Sequence, residues 1–164
     1  GSFALKNDGS LWSWGYNEDG GLGQSNKTSY SSPNQVGTDT NWSDIGGGST
    51  MNNCSAVKNN GTLWSWGYNN QGELGHNNRS EYNSPVQVGT KTWWVKTGGI
   101  GGYASAHMDR DGGIWTAGWN GAGQLANNMP DSTKRSSPVQ VPGSFVNVSM
   151  RENSVHALAN YRGV

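Results

Sequence analysis

Hydrophobic residues in this chain fall in short runs where large apolar side chains alternate with polar or small ones. In Leu11-Trp12-Ser13-Trp14 a period of two puts both Trp side chains on one face, and Leu11 with Ser13 on the other. Between runs stand turn residues. Lys6-Asn7-Asp8-Gly9-Ser10 and Lys58-Asn59-Asn60-Gly61-Thr62 read as hairpin turns, because Asp-Gly and Asn-Gly reach positive φ at low cost. Pro33, Pro85 and Pro138 lie in segments that cannot be central strands, since proline donates nothing to a ladder. No useful stretch places apolar residues at i, i+3 and i+4. The pattern predicts an all-β chain with almost no helix.

The pattern also repeats. ALKNDGSLWSWG at 4–15 returns as AVKNNGTLWSWG at 56–67 and, more loosely, as HMDRDGGIWTAG at 107–118. The following segments agree as well: YNEDGGLGQ from Tyr16, YNNQGELGH from Tyr68 and WNGAGQLAN from Trp119. Ser-Pro-Asn-Gln-Val at 32–36 corresponds to Ser-Pro-Val-Gln-Val at 84–88 and 137–141. Trp42, Trp94 and Phe145 then precede small-residue stretches such as Gly46-Gly47-Gly48 and Gly98-Gly99. The copies span approximately 4–55, 56–106 and 107–154, and a fourth opens at 155–164. Several short strands per unit of about 50 residues match β-propeller blades.

These motifs resemble the regulator of chromosome condensation repeat family: a hydrophobic–aromatic–x–aromatic–Gly strand, a G-x-N-x-x-G-x-L-G turn and a downstream Ser-Pro-Val. Gly15–Gly23 and Gly67–Gly75 match the turn fully, and Gly118–Ala126 departs only at its last position. The resemblance implies a propeller fold, and about seven blades close such a ring. Three repeats form an incomplete ring, which leaves strand edges to be covered. The expected cover is further blades of a longer polypeptide, subunits that complete the ring together, or a partner protein. The family's namesake exchanges nucleotide on the small GTPase Ran through projecting loops, and nothing here matches those loops. The Trp-rich wording of the repeats is similar to bacterial and bacteriophage members, which implies a virion, extracellular or cell-surface location.

Composition narrows the function. With 26 Gly, 9 Trp and zero net charge, the chain reads as aromatic rings packed on glycine backbone, not as a disordered segment. Basic residues are dispersed, so nucleic acid is not expected as a partner. No apolar run is long enough for a membrane span.

Candidate chemistry is sparse. His76, His107 and His156 lack ligand companions at metal spacing and are expected in turns or at the surface; no metal or other cofactor is implied. Glu18-Asp19 and Asp109-Arg110-Asp111 fit turns better than acid–base pairs or a calcium loop. The glycine runs fit close blade packing better than phosphate loops. Cys54 is expected to be a small buried thiol. Trp12, Trp14, Trp64 and Trp66 recur between copies and are expected in the core. Trp93, Tyr103 and Trp119 vary between copies and form the candidate binding surface. Ala117 stands where Trp14 and Trp66 stand, so aromatic volume is expected to be lost there and made up by Trp119 or a neighbouring blade. The sequence therefore reads as a non-enzymatic structural or recognition protein that offers a protein-interaction surface. Regulation of another protein, including nucleotide exchange, and glycan binding are the alternatives.

Overall fold

The computed structural model describes residues 1–47, 52–128, 133–151 and 154–159, and these contain thirteen strands and no helix. The strands are β1 (Ser2–Leu5), β2 (Leu11–Gly15), β3 (Tyr30–Gln35), β4 (Trp42–Gly47), β5 (Asn53–Lys58), β6 (Leu63–Gly67) and β7 (Tyr82–Gln87). They continue as β8 (Trp94–Gly101), β9 (Ala104–Asp109), β10 (Ile114–Trp119), β11 (Lys134–Val141), β12 (Phe145–Arg151) and β13 (Ser154–Ala159). All pairings are antiparallel between chain neighbours, in four sheets: β1-β2-β3, β4-β5-β6-β7, β8-β9-β10-β11 and β12-β13. Each sheet is a blade, and the end blades hold fewer strands than the middle two, so the set is an open arc. The copy at 56–106 runs from within β5 through β8 into the start of β9, which places the sequence repeat one strand out of phase with the sheets.

The turns form for the reasons the composition suggests. Lys6 and Lys58 N–H donate to the Ser10 and Thr62 carbonyls, at 3.0 and 2.9 Å, and close hairpins around Gly9 and Gly61, both at φ +79°. Pro33, Pro85 and Pro138 lie in β3, β7 and β11, which are edge strands of their sheets. In the loop after the Trp strand, the Asn17, Asn69 and Asn120 carboxamide oxygens accept from the Leu22, Leu74 and Leu125 N–H at 2.8, 3.0 and 2.9 Å. Those leucines are fully buried, and their carbonyls accept from the Ser13, Ser65 and Thr116 hydroxyls at 2.7, 2.7 and 2.8 Å. One Asn and one hydroxyl thus fix the loop to its strand in every copy. Ala126 takes the last glycine position of the turn and is held at φ +51°.

Neighbouring blades meet through their first strands, where β8 packs between β4 and β12. A Cβ on Gly46 would lie 2.5 Å from the Gly99 backbone, so these strands approach without side chains between them. This accounts for the small-residue stretches; Gly48 lies outside the described residues.

Burial corrects one expectation about the Trp strands. The Leu11/Ser13 and Leu63/Ser65 faces are completely covered. Of Trp12, Trp14, Trp64 and Trp66, only Trp66 is completely enclosed. Its ring lies edge-on to Phe3 at 6.4 Å and tilted against Trp42 at 6.2 Å, and its Nε1 donates to the Gly21 carbonyl at 2.8 Å. Trp14 is half-buried, since no described blade precedes its own.

Candidate functional site: a tryptophan ridge between two hollows

The candidate site grows out of two substitutions in the third blade. In the second blade the Lys58 ammonium sits 3.9 Å from the centre of the Trp64 ring and 4.6 Å from that of Trp42, and pairs with Asp39 at 2.7 Å. The Thr62 hydroxyl accepts from Trp64 Nε1 at 2.8 Å and donates to Asn60. The third blade has Asp109 in place of Lys58 and Gly113 in place of Thr62. The Asp109 carboxylate takes over the acceptor roles of Thr62 and Asn60: it accepts from Trp115 Nε1 at 2.8 Å and from the Asp111 and Gly113 N–H at 2.9 and 2.8 Å. A carboxylate loaded with three donors is a stable buried acceptor.

With no lysine over Trp115, another group covers that ring. The residue before β8 is Trp93, at the position of Asn41 before β4; the Arg110 N–H donates to the Trp93 carbonyl as the Asn59 N–H does to Asn41, at 2.8 Å in both cases. The Trp93 ring lies against Trp115 at 5.8 Å and 31°, and edge-on to Trp94 at 6.4 Å and 82°. Trp94 is itself edge-on to Trp115 at 6.0 Å. Behind them Val57, Leu63 and Val88 form a small buried cluster. Trp93, one of the candidate binding residues, is therefore half-buried and braced.

Trp93 forms a ridge with a hollow on either side. One, of about 340 Å³, is lined by Trp94, Trp115, Val88, Gln87, Lys91, His76 and Pro138 among others, from both middle blades. The other, of about 630 Å³, is lined by Lys58, Asn59, Asn60, Thr92, Trp94 and Arg110 among others. The Lys91 ammonium stands 4.4 Å above the Trp93 ring, and Arg110 Nη2 donates to the Thr92 carbonyl at 2.6 Å. Among the described residues no Asp or Glu lines either hollow. His76 hydrogen-bonds the Ser65 hydroxyl at 2.9 Å, and burial holds its pKa below the ordinary value.

Tyr103 and Trp119 do not join this ridge. Tyr103 lies in the β8–β9 turn and Trp119 at the end of β10, edge-on to each other at 5.9 Å. They stand at the opposite end of β8 from Trp93, roughly 25 Å away at strand rise. Trp119 is thus engaged with Tyr103. In the loop that precedes blade three's Ala117, Glu73 stands where blade one has Gly21.

Two buried groups carry no counterpart in the sequence reading. His107, expected in a turn or at the surface, is 1 % exposed in β9; its Nδ1 bonds Thr97 Oγ1 at 3.0 Å, which in turn meets Ser55 Oγ at 2.6 Å across the blade seam. Burial drops its pKa to about 3, so it is neutral. Glu73 is fully buried; one carboxylate oxygen accepts from the Gln71 N–H at 2.8 Å and the other has no hydrogen-bond partner among the described residues. Burial raises its pKa to about 7. His156 is exposed on β13, and Cys54 is a buried thiol with its pKa raised by burial. Among the described residues no three His, Cys, Asp or Glu side chains gather closely enough to hold a metal ion.

Blades of four antiparallel strands, joined in chain order and packed through their first strands, define a propeller repeat protein. The model of the regulator of chromosome condensation (RCC1) repeat matches residues 8–54 and 60–98, more than half of the chain, and the chain belongs to that family. Among curated proteins it is 27% identical to human Protein RCC2 over 128 residues, 77% of this chain and 24% of that protein. It is 30% identical to the human probable E3 ubiquitin-protein ligase HERC3, covering 87% of this chain and 14% of that protein. Among solved structures, yeast RCC1 (Prp20) bound to Kap60 superimposes with a TM-score of 0.75 at 19% identity, covering 96% of this chain and 39% of that one. The Saccharomyces cerevisiae Prp20p structure, described with its binding to Gsp1p and histones, gives 0.77 at 16% identity, covering 98% and 42%. The all-β propeller fold and the incomplete ring are thereby shown. The chain spans a quarter or less of these curated relatives.

Proposed function

We propose that this chain is a non-enzymatic recognition surface, in which propeller blades hold the Trp93 ridge rigidly for another protein to grip. The observation that carries this reading is the braced ridge itself: a large aromatic, half-buried and locked by Trp94 and Trp115, between two hollows. Rigid aromatic anchors of this kind are what interface hot spots are made of. Of the proteins whose fold it shares, yeast RCC1 (Prp20) is described bound to Kap60, and Prp20p with its binding properties to Gsp1p and histones. The finer reading, that the partner belongs to a bacteriophage particle or bacterial surface, rests on the Leu-Trp-Ser-Trp and Ser-Pro-Val-Gln-Val wording of the repeats. Site-specific photo-crosslinking tests the interaction in the cells or particles that make the chain. A benzoylphenylalanine at Thr92, beside the ridge, should yield a discrete crosslinked protein, and one at exposed Gly37 should not. Equal yields from both positions, or none from Thr92, would overturn the reading.

A further inference from the structure

From the charges that line the two hollows we infer that the Trp93 ridge takes an acidic peptide segment with an apolar or aromatic side chain. This rests on the interaction reading above and specifies its chemistry. The chain carries equal numbers of acidic and basic residues, 11 of each, so a cationic lining is a local departure. Lys91 and Arg110 are exposed on the two sides of Trp93, and among the described residues no carboxylate lines either hollow. Asp109, which holds Trp115 beneath the ridge, is buried and occupied by the Trp115, Asp111 and Gly113 N–H donors, so it does not offset the cations outside. Two exposed cations some way apart on either side of an aromatic wall suit an extended segment: its apolar side chain enters the smaller hollow, against Trp94, Trp115 and Val88, while carboxylates on either side reach Lys91 and Arg110. Lys58 adds little, because Asp39 already pairs with it.

The test pans a phage-displayed library of random peptides against the whole chain and against a Lys91→Glu/Arg110→Glu variant, whose exposed side chains leave the buried cluster untouched. Thermal melting should confirm that the variant folds. Wild type should enrich peptides with Asp or Glu flanking an apolar residue, and the variant should lose that enrichment. Affinity of a selected synthetic peptide should fall at least about tenfold between low and high salt, as exposed charge pairs are screened. No enrichment, enrichment without acidic bias, or enrichment unchanged by the charge swap would overturn the inference. Crosslinking from Thr92 to a partner would then still stand, so the two readings fail separately.

Discussion

Replacing Trp66 with alanine should separate the first two blades, and the expected loss can be worked from its surroundings. The side chain is completely buried, it touches Phe3 and Trp42, and a Cβ on Gly23 would lie 2.7 Å from its Nε1, which shows how closely that loop rests on the ring. Truncating a core Trp costs about 3–5 kcal/mol. It would also leave the buried Gly21 carbonyl without its donor, at about 1–3 kcal/mol. These contributions overlap, so a loss near 5 kcal/mol is expected, a large part of a domain's usual margin. Trp93→Ala removes a half-buried ring with no hydrogen bond among the described residues, and should cost about 1–1.5 kcal/mol, roughly half the value for a fully buried side chain. Urea midpoints of the two variants measure the difference, provided their slopes agree. Hydrogen exchange locates it: Trp66→Ala should accelerate exchange in β1–β3 more than in β8–β11. Equal midpoint losses, or uniform acceleration, would refute the assignment of Trp66 to the seam and Trp93 to the ridge.

Stability should depend on pH through two buried groups of opposite sign. Glu73, with its folded pKa near 7 against an ordinary 4.5, holds a proton more tightly when folded, so its favourable contribution is present below pH 4.5 and is lost as pH rises through 7. That loss is about 3 kcal/mol at most. Glu73→Gln should therefore gain stability over wild type at pH 8.5 but not at pH 4.5. His107 acts from the acid side: with a folded pKa near 3, its contribution is present above 6.5 and falls away as pH drops. A melting profile of wild type and Glu73→Gln from pH 4 to 9 checks both slopes, and parallel curves would show that Glu73 does not titrate as described. Ala126→Gly should stabilise by about 1 kcal/mol, since a left-handed conformation costs an L-residue about 1–2 kcal/mol. Thermal unfolding reads it directly, and a loss of stability would mean the methyl group packs better than it strains.

The repeat made the blades legible, and its Asn, Gly and Leu positions made the turns legible, because each of those residues acts within its own loop and strand. Asn17 needs only Leu22 five residues away to show its purpose. Burial was not legible in the same way. Trp14 and Trp66 are the same residue at the same place in the repeat, but a side chain at a seam is buried by the blade before it, which one copy's sequence does not contain. His107 was missed for that reason too, since its environment comes from Thr97 and, beyond it, Ser55 in the preceding blade. The Trp93 ridge did leave a signal. Compared copy by copy, Asn41 becomes Trp93 where Lys58 becomes Asp109 and Thr62 becomes Gly113. Three linked changes in an otherwise steady pattern mark a rebuilt surface.

The same comparison shows why the blades are not interchangeable. Trp66 is accommodated because the preceding loop presents Gly21 and Gly23, two residues without side chains, to its ring. By the repeat register, Ala117 meets the loop that carries Glu73 and Gly75, where a buried carboxyl side chain takes the place of Gly21. A large residue facing glycine has become a small residue facing glutamate. Gln124, buried in the next loop with its Oε1 on the Ala122 N–H at 2.8 Å, keeps Glu73's shape and local hydrogen bond without the charge. Each seam is therefore matched to one pair of blades. Swapping blade two for a second copy of blade three would set Ala117 against Gly21 and leave a cavity, a cost of several kcal/mol. Matched seams fix the order of the blades, and a fixed order allows one blade alone to carry Trp93, Lys91 and Arg110 while its neighbours remain scaffold.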